Sequence, residues 1–411
     1  MKRRVVVTGG GMLTALGRTW EEASEKLKQC KNLIQYMSNW ECYTKMNTRL
    51  ACPYTQPLPK FPRKKVRGMG RVALLSLIAT DDALKMAGYV SQDGIVSQEI
   101  QNGRCGIAYG SCMGSMESLK DLVSMIETHD TSKLDSQTYI KCMPQTCAAN
   151  LSIFYSVKGR VIVTDTACTS SSQAIGYAYE QIKDGRQDIM IAGGADELSA
   201  SDSAIFDTLG AASILNSTPD KTPKAWDKNR DGLVIGEGSG TLILEEYEHA
   251  VKRGAKIYAE IAGFATNMDG SHITSPNPQT QSIALKLALE DAEISPDQIG
   301  YINAHGTATQ GGDISESQAV YNIFKRAVPI STTKSYVGHT LGACGAVESW
   351  LTINMMRENW FHPNLNLTEI DPECAPLDYL REIRSIKTDY VMSNNFAFGG
   401  VNTSLIFKKI N

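Results

Sequence analysis

The run VIVTDTACTSSSQAIGYAYEQIKD, Val161 to Asp184, places a cysteine where a fold can use one. Val161-Ile162-Val163 is a β-branched strand signal, and Ala174, Ala178 and Ile182 recur at helical spacing beyond Cys168. Strand, tight turn with a thiol, then helix puts Cys168 at a helix N-terminus, where free N–H groups and the dipole favour a thiolate. The serines and threonine that follow suit capping of the first turn. Read alone, the same stretch also fits a small buried core cysteine ahead of an ordinary helix.

Two histidines far downstream bear on that choice. His305 lies in NAHGTAT, at the end of the strand signal 299–304, and His339 lies in KSYVGHTLGACG, with Lys334 five residues before it. Either could be structural by itself. Together with Cys168 they occupy strand ends and Gly-rich turns, where open α/β folds place active sites. A thiol that can hold an acyl group and two imidazole donors for an enolate oxygen are what carbon–carbon condensation on a thioester needs.

The elements that must carry these groups alternate. Strand signals at Val5–Val7, Cys105–Gly110, 161–163 and 189–194 interleave with helix patterns at 72–87, 116–128 and 203–211. A second cycle begins near Ile257, with strands at 257–264, 299–304, 328–331, 391–395 and 403–407 and helices at 281–292, 320–327 and 346–357. The alternation predicts an α/β fold with mostly parallel strands and crossover helices, in two similar halves, residues 1–250 and 251–411. Gly9-Gly10-Gly11 is expected to turn the chain after the first strand. It is not a dinucleotide fingerprint, because Thr14 stands at the third glycine position.

Composition narrows the function classes. A chain of 411 residues with 42% hydrophobic and 21% charged residues exceeds one usual domain and can bury a large core. A net charge of −3 leaves no electrostatic footprint for nucleic acid or a membrane surface. No apolar run reaches the roughly 18 residues needed to span a bilayer. The glycines break the apolar part of MKRRVVVTGGGMLTALG, so a strand and turn explain it better than a signal peptide. Ten cysteines without a CxxC, and six histidines without zinc spacing, read as reduced thiols with no structural metal site, in a cytoplasmic protein. Arg63, Lys64, Lys65, Arg67 and Arg71 cluster after a Pro-rich stretch, as a solvated face or as a docking patch for an acidic partner.

Four blocks carry a family resemblance: DTACTSSSQAIG, NAHGTAT, STTKSYVGHTLGACGAVES and SNNFAFGGVNTSLIF. With VVVTGGGML and KAWDKNRDGLVIGEGSGTLILEE, they resemble the β-ketoacyl-[acyl carrier protein] synthases of the elongating type over nearly the whole chain. The resemblance implies a thiolase-like fold of five layers, α-β-α-β-α. It implies a homodimer or a heterodimer with a related ketosynthase-like subunit, and acyl carrier protein as partner. No cofactor is implied beyond the phosphopantetheine that arrives on that partner. By the same resemblance Cys168 accepts the acyl chain. His305 and His339 hold the malonyl thioester oxygen, and Lys334 sets the charge around His305. The N–H groups of Cys168 and Phe398 form an oxyanion hole, and Phe398, beside Phe396, gates the two half-reactions. Thr307 and Thr309, and with them His272 and Thr274, line the phosphopantetheine channel. Met113 lines the far end of the acyl pocket. The implied activity is decarboxylative condensation with malonyl-carrier protein in fatty acid or polyketide synthesis. The rival readings are a thiolase acting on coenzyme A thioesters, for which Cys344 would matter, and a non-catalytic partner subunit that controls chain length. SYVGHTLGACG and SNNFAFGG resemble ketosynthases of aryl-polyene clusters, and Ala397 stands where the family usually has glycine in the gate.

Overall fold

A computed structural model describes residues 3–410. The elements that position the site are, in chain order, β1 (Val5–Leu13), α1 (Arg71–Met86), β2 (Cys105–Gly110), α2 (Thr146–Tyr155), β3 (Val161–Thr164), α3 (Ser170–Lys183), β4 (Ile189–Asp196), α4 (Ala200–Thr208), β5 (Gly238–Glu246), β6 (Ala259–Met268), α5 (Pro278–Asp291), β7 (Ile299–Asn303), α6 (Gln310–Phe324), β8 (Pro329–Ser331), α7 (Cys344–Glu358), β9 (Asp378–Tyr379), β10 (Tyr390–Phe396) and β11 (Val401–Lys408).

The strands hydrogen-bond in the order β9-β8-β7-β10-β11-β6-β1-β5-β4-β2-β3. The two ends of this order repeat one pattern. From β1 outward, β5 and β4 are antiparallel additions, then β2 and β3 are parallel ones. From β6 outward, β11 and β10 add antiparallel, then β7 and β8 add parallel. The halves meet where β1 pairs with β6. The helices follow the same repeat, since α3 comes after β3 and α7 after the equivalent β8. The duplication expected from rhythm is therefore present in the topology. The antiparallel ladders at the centre of each half lie outside what alternation alone can show.

Packing stacks five layers. Helices α1 and α2 cover one face of the first half, and α5, with α6 against it, covers the outer face of the second. Helices α3 and α7 lie between: α3 touches β2 and β4 as well as β6 and β11, and α7 touches β5 and β10. A helix enclosed on all sides has no polar face to keep. Helix α7 fits this, with every residue from Cys344 to Met356 buried. The strands between helix layers are buried on both faces, which suits the unbroken apolar run of Ile189 to Ala192.

Two expectations change. Gly9-Gly10-Gly11 does not turn the chain, because β1 runs straight through it with a bulge between Val7 and Gly9. A Cβ on Gly10 would lie 2.3 Å from the Trp350 ring of α7, and one on Gly11 would lie 2.1 Å from the Ala79 carbonyl of α1. The glycines let helices press on β1 from both faces. Helix α6 begins at Gln310, well before the apolar spacing that starts at Val320, because Gly311 and Gly312 disguise its first turn as loop. Among the described residues, no helix is long and apolar enough to cross a membrane.

Candidate active site

The turn from β3 into α3 is built by hydroxyls. Ala167 adopts a left-handed backbone, φ 49°, and Ala167–Thr169 form a short 3-10 turn that brings Cys168 to the start of α3. The Thr166 N–H donates to Ser170 Oγ at 3.0 Å, and the Ser170 hydroxyl donates to the Ala167 carbonyl at 2.7 Å. Thr164 Oγ1 donates to the Ser170 carbonyl at 2.8 Å. Ser171 Oγ accepts the Ala346 N–H of α7, and Ser172 Oγ shares a hydrogen with Thr403 Oγ1. The serines expected to cap α3 do not do so, since no side chain caps the helix; their hydroxyls instead brace the elbow and fasten α3 to the other half of the molecule.

Three reactive side chains converge. His339 Nε2 lies 2.9 Å from Cys168 Sγ, and the His305 and His339 rings meet edge to face with centroids 5.1 Å apart. All three residues are buried. His305 follows β7, and its N–H and that of Gly306 donate to the Glu316 carboxylate of α6 at 2.8 and 2.7 Å. His339 is pinned by its own backbone, donating to the Val234 carbonyl and accepting the Gly236 N–H. Lys334 is fully enclosed and pairs with Glu348 of α7 at 2.5 Å. Burial opposes its charge, but Glu348, with Cys344 and Glu316, more than offsets this and holds Lys334 above the ordinary lysine range.

Hydrogen bonds assign the tautomers of both rings. The Leu341 N–H donates to His339 Nδ1 at 3.2 Å. A backbone N–H can only donate, so Nδ1 is bare and the neutral ring carries its proton on Nε2. Asn395 Nδ2 reaches His305 Nδ1 at 3.4 Å and Glu348 Oε2 at 2.8 Å. The carboxylate needs a donor, which sets the Asn395 amide and gives His305 the same Nε2–H form. Burial, with the charge of Lys334, holds both imidazoles well below the usual histidine range, and His339 adds to the effect on His305. Both rings are therefore neutral donors at their Nε2 positions.

Two consequences follow. The donor atoms of Cys168, His305 and His339 all lie within 4.8 Å of one another, a spacing that a metal ion could bridge. Both Nε2 atoms carry hydrogen, however, and a metal-bound imidazole would have to donate from its other nitrogen rather than accept there. The three residues do not fit a metal site. Nor can His339 take the thiol proton, as the base of a cysteine–histidine pair would. Burial pushes the Cys168 thiol up to about 11, against the pull of Lys334 and of the Phe398 and Cys168 N–H groups that face the sulfur. The thiolate expected from the helix N-terminus is thus a protonated thiol at rest, because enclosure outweighs the helix end.

A cavity of about 250 Å³ opens onto these groups. Thr307 and Thr309 line it with their hydroxyls 3.0 Å apart, and Phe396, Phe398, His272 and Thr274 line it too. Met113 does not reach it: the Phe206 and Phe398 rings, with Leu233, wall the cavity before that point. Cys344 donates its thiol to the Cys168 carbonyl at 3.1 Å, and burial keeps it well above the usual thiol range. It acts as a structural donor rather than the base a thiolase would use. The five residues of the cationic cluster, Arg63, Lys64, Lys65, Arg67 and Arg71, are all exposed, with Lys65 over the Phe154 ring. Arg71 gives two hydrogen bonds to the buried Glu237, so its charge is already paired. Glu316, Glu348 and Asn395 had no assigned role in the sequence. The last two stand inside the quoted blocks, and their only signal is a buried polar type within an apolar or Gly-rich run.

The ion pair supplies a stability test. Removing one partner of a buried pair strands the other charge and costs about 3–5 kcal/mol. Lys334→Met is expected to lose that much in denaturant unfolding, and Lys334→Met with Glu348→Leu to lose clearly less. Equal losses would mean that the pair is not what holds the two groups.

Comparisons with known proteins agree with this geometry. Residues 2–250 match the Beta-ketoacyl synthase, N-terminal domain, and residues 258–368 match the Beta-ketoacyl synthase, C-terminal domain. A 3-oxoacyl-[acyl-carrier-protein] synthase 1 from Haemophilus influenzae is 35% identical over 418 aligned residues, spanning 100% of both chains. A crystal structure of a Beta-ketoacyl synthase from Burkholderia phymatum STM815 is 52% identical with a TM-score of 0.97, again covering 100% of both chains. A chain of the ishigamide ketosynthase/chain length factor is 27% identical with a TM-score of 0.89 over 100% of both chains. Matched in both halves and along its full length, and with a thiol and two imidazole donors in one buried site, the chain belongs to the β-ketoacyl synthase family.

Proposed function

We propose that this chain catalyses decarboxylative Claisen condensation of an acyl chain held on Cys168 with malonyl-[acyl carrier protein], giving 3-oxoacyl-[acyl carrier protein] and carbon dioxide. The observation that carries the reading is the pair of Nε2–H donors on His305 and His339 beside the Cys168 sulfur. In the first half-reaction Cys168 attacks the acyl thioester, a new carbon–sulfur bond replaces the old one, and the thiol proton leaves with the carrier's thiol. In the second, the malonyl carbon–carbon bond breaks and carbon dioxide departs. The electron pair passes into the thioester as an enolate, whose oxygen the two imidazole N–H groups stabilise. The enolate carbon attacks the acyl carbonyl on Cys168. The oxyanion formed there takes hydrogen bonds from the Cys168 and Phe398 N–H groups, and its collapse breaks the carbon–sulfur bond to release the Cys168 thiolate, which takes one proton from solvent to restore the thiol. No step asks a histidine to act as a base, and none calls for a metal or redox cofactor.

The N-terminal half, 1–250, carries the nucleophile, and 251–411 carries His305, Lys334 and His339; the repeated strand order supports that division. A dimer, with itself or with a related subunit, is supported by β3. It ends the strand order with Val161 and Val163 exposed. We place the protein in the cytoplasm. The blocks SYVGHTLGACG and SNNFAFGG support unsaturated or aryl-primed acyl donors, as in an aryl-polyene pathway.

Intact mass after mixing with acyl-carrier protein tests the reading. One acyl adduct on Cys168 is expected, absent in Cys168→Ala and discharged with carbon dioxide when malonyl-carrier protein is added. No adduct would favour a partner subunit, and turnover of acetyl-coenzyme A without a malonyl unit would favour a thiolase. Saturated and polyenoyl donors run side by side decide the pathway in the same assay.

The carrier is proposed to dock on Arg63, Lys64, Lys65 and Arg67. Charge reversal at Arg63 and Lys64 should raise the KM for the carrier protein and flatten its salt dependence, because exposed charges act through screened steering. An unchanged KM and salt slope would place docking elsewhere.

A further inference from the structure

We propose that Phe206 is the latch of the gate: its ring holds Phe398 where that residue both closes the cavity and presents its N–H to Cys168. The proposal rests on the condensation reading above and names a positioning residue within it.

Phe206 sits on α4 with its ring turned inward, buried among Ala212, Leu233, Ile235 and Leu341, while Ile205 beside it on the helix and Leu209 just past its end are about half exposed. Its ring lies against that of Phe398 with centroids 5.1 Å apart and planes 20° from parallel. Phe398 belongs to the short connection between β10 and β11. Its neighbours are tied by backbone bonds, Ala397 N–H to the Val401 carbonyl and Gly399 N–H to the Ile273 carbonyl. Gly399 and Gly400 take left-handed φ values of 88° and 79°. Those ties fix the loop's neighbours, whereas the Phe398 side chain is held by the apolar cluster around Phe206.

The stack stands at a boundary. Phe206, Leu233 and Phe398 form one wall of the cavity that holds Cys168. Cys112 packs on the same apolar cluster and yet does not line the cavity, and neither does its neighbour Met113. In this gate, the Phe398 ring swung off Phe206 opens the wall on the side where Cys112 packs. The same rotation moves the loop whose Phe398 N–H faces the Cys168 sulfur. One contact therefore biases a two-state element in opposite senses. With the stack made, the oxyanion donors are complete and the acyl passage is shut; with it broken, the passage is open and one donor is withdrawn.

Measurement of the two half-reactions separately tests the latch. An aromatic pair is worth roughly a 2- to 10-fold change in such a population. Phe206→Leu keeps an apolar side chain but removes the ring face. It is expected to speed acylation of Cys168 by acyl-carrier protein by roughly 2- to 10-fold, and to slow condensation of the pre-acylated enzyme with malonyl-carrier protein by a similar factor. Ile205→Leu, about half exposed on the same helix and outside the cavity lining, should leave both rates near those of the unaltered protein. Both half-reactions falling together, or neither changing, in Phe206→Leu would overturn the latch. The unaltered protein is the separate arm for the reading beneath: if it is never acylated, the condensation function falls and the latch with it. If it is acylated and Phe206→Leu behaves identically, only the latch falls.

Discussion

Everything in this site depends on which way two imidazoles point their protons. A backbone N–H of Leu341 occupies Nδ1 of His339, and the Asn395 amide occupies Nδ1 of His305. Both rings are left with an N–H directed at the cavity beside Cys168. With the rings neutral and donating, they suit a developing enolate oxygen and are unsuited to acting as a thiol's base or as metal ligands. The chain Lys334–Glu348–Asn395 maintains this. The lysine fixes Glu348 as an acceptor, and Glu348 fixes the face of Asn395 that donates. A buried ion pair is weak evidence for stability but can set conformation, and here it orients an amide.

The architecture explains how residues more than a hundred positions apart meet. Each half delivers a strand, a turn and an inner helix, and the inner helices α3 and α7 pack between the halves. Cys168 stands at the head of α3 and His339 just ahead of α7, so the duplication brings equivalent turns together. Glycines in β1 and the serines of the Cys168 elbow permit and fasten this approach, through close helix packing and hydroxyl bonds across the halves. The site is thus made of parts whose positions follow from the packing of the centre, while the gate is carried on a loop with two left-handed glycines.

Much of this was legible in the sequence. The strand-turn-helix pattern around Cys168, the strand ending at His305 and the Gly-rich turn at His339 are local patterns, and local patterns survive into structure. What could not be read was set by contacts between distant segments. The three glycines of β1 look like a turn because their partners, Trp350 and Ala79, are absent from the local pattern. The protonated state of Cys168 reverses the helix-end expectation because enclosure comes from the whole fold. Arg71 belongs to an exposed basic run in the structure as in the sequence, and only the position of Glu237 reveals that its guanidinium is already paired. Met113, in the loop after β2, lies short of the cavity because Phe206 of α4 walls it there. Ala397, in place of the usual gate glycine, has a negative φ in the closed loop, so the substitution is accommodated there without strain.

The central claim is that the two histidines are neutral Nε2–H donors beside a protonated thiol. Nitrogen-15 NMR of histidine-labelled protein, with His305 and His339 assigned by single substitution, tests it most directly. The account predicts for both rings a protonated Nε2 and an unprotonated Nδ1, unchanged from about pH 6 to 8, since burial and Lys334 hold both well below the ordinary histidine range. An imidazolium signal from His339 in that window, paired with a Cys168 thiolate, would contradict it and make the site a cysteine–histidine ion pair.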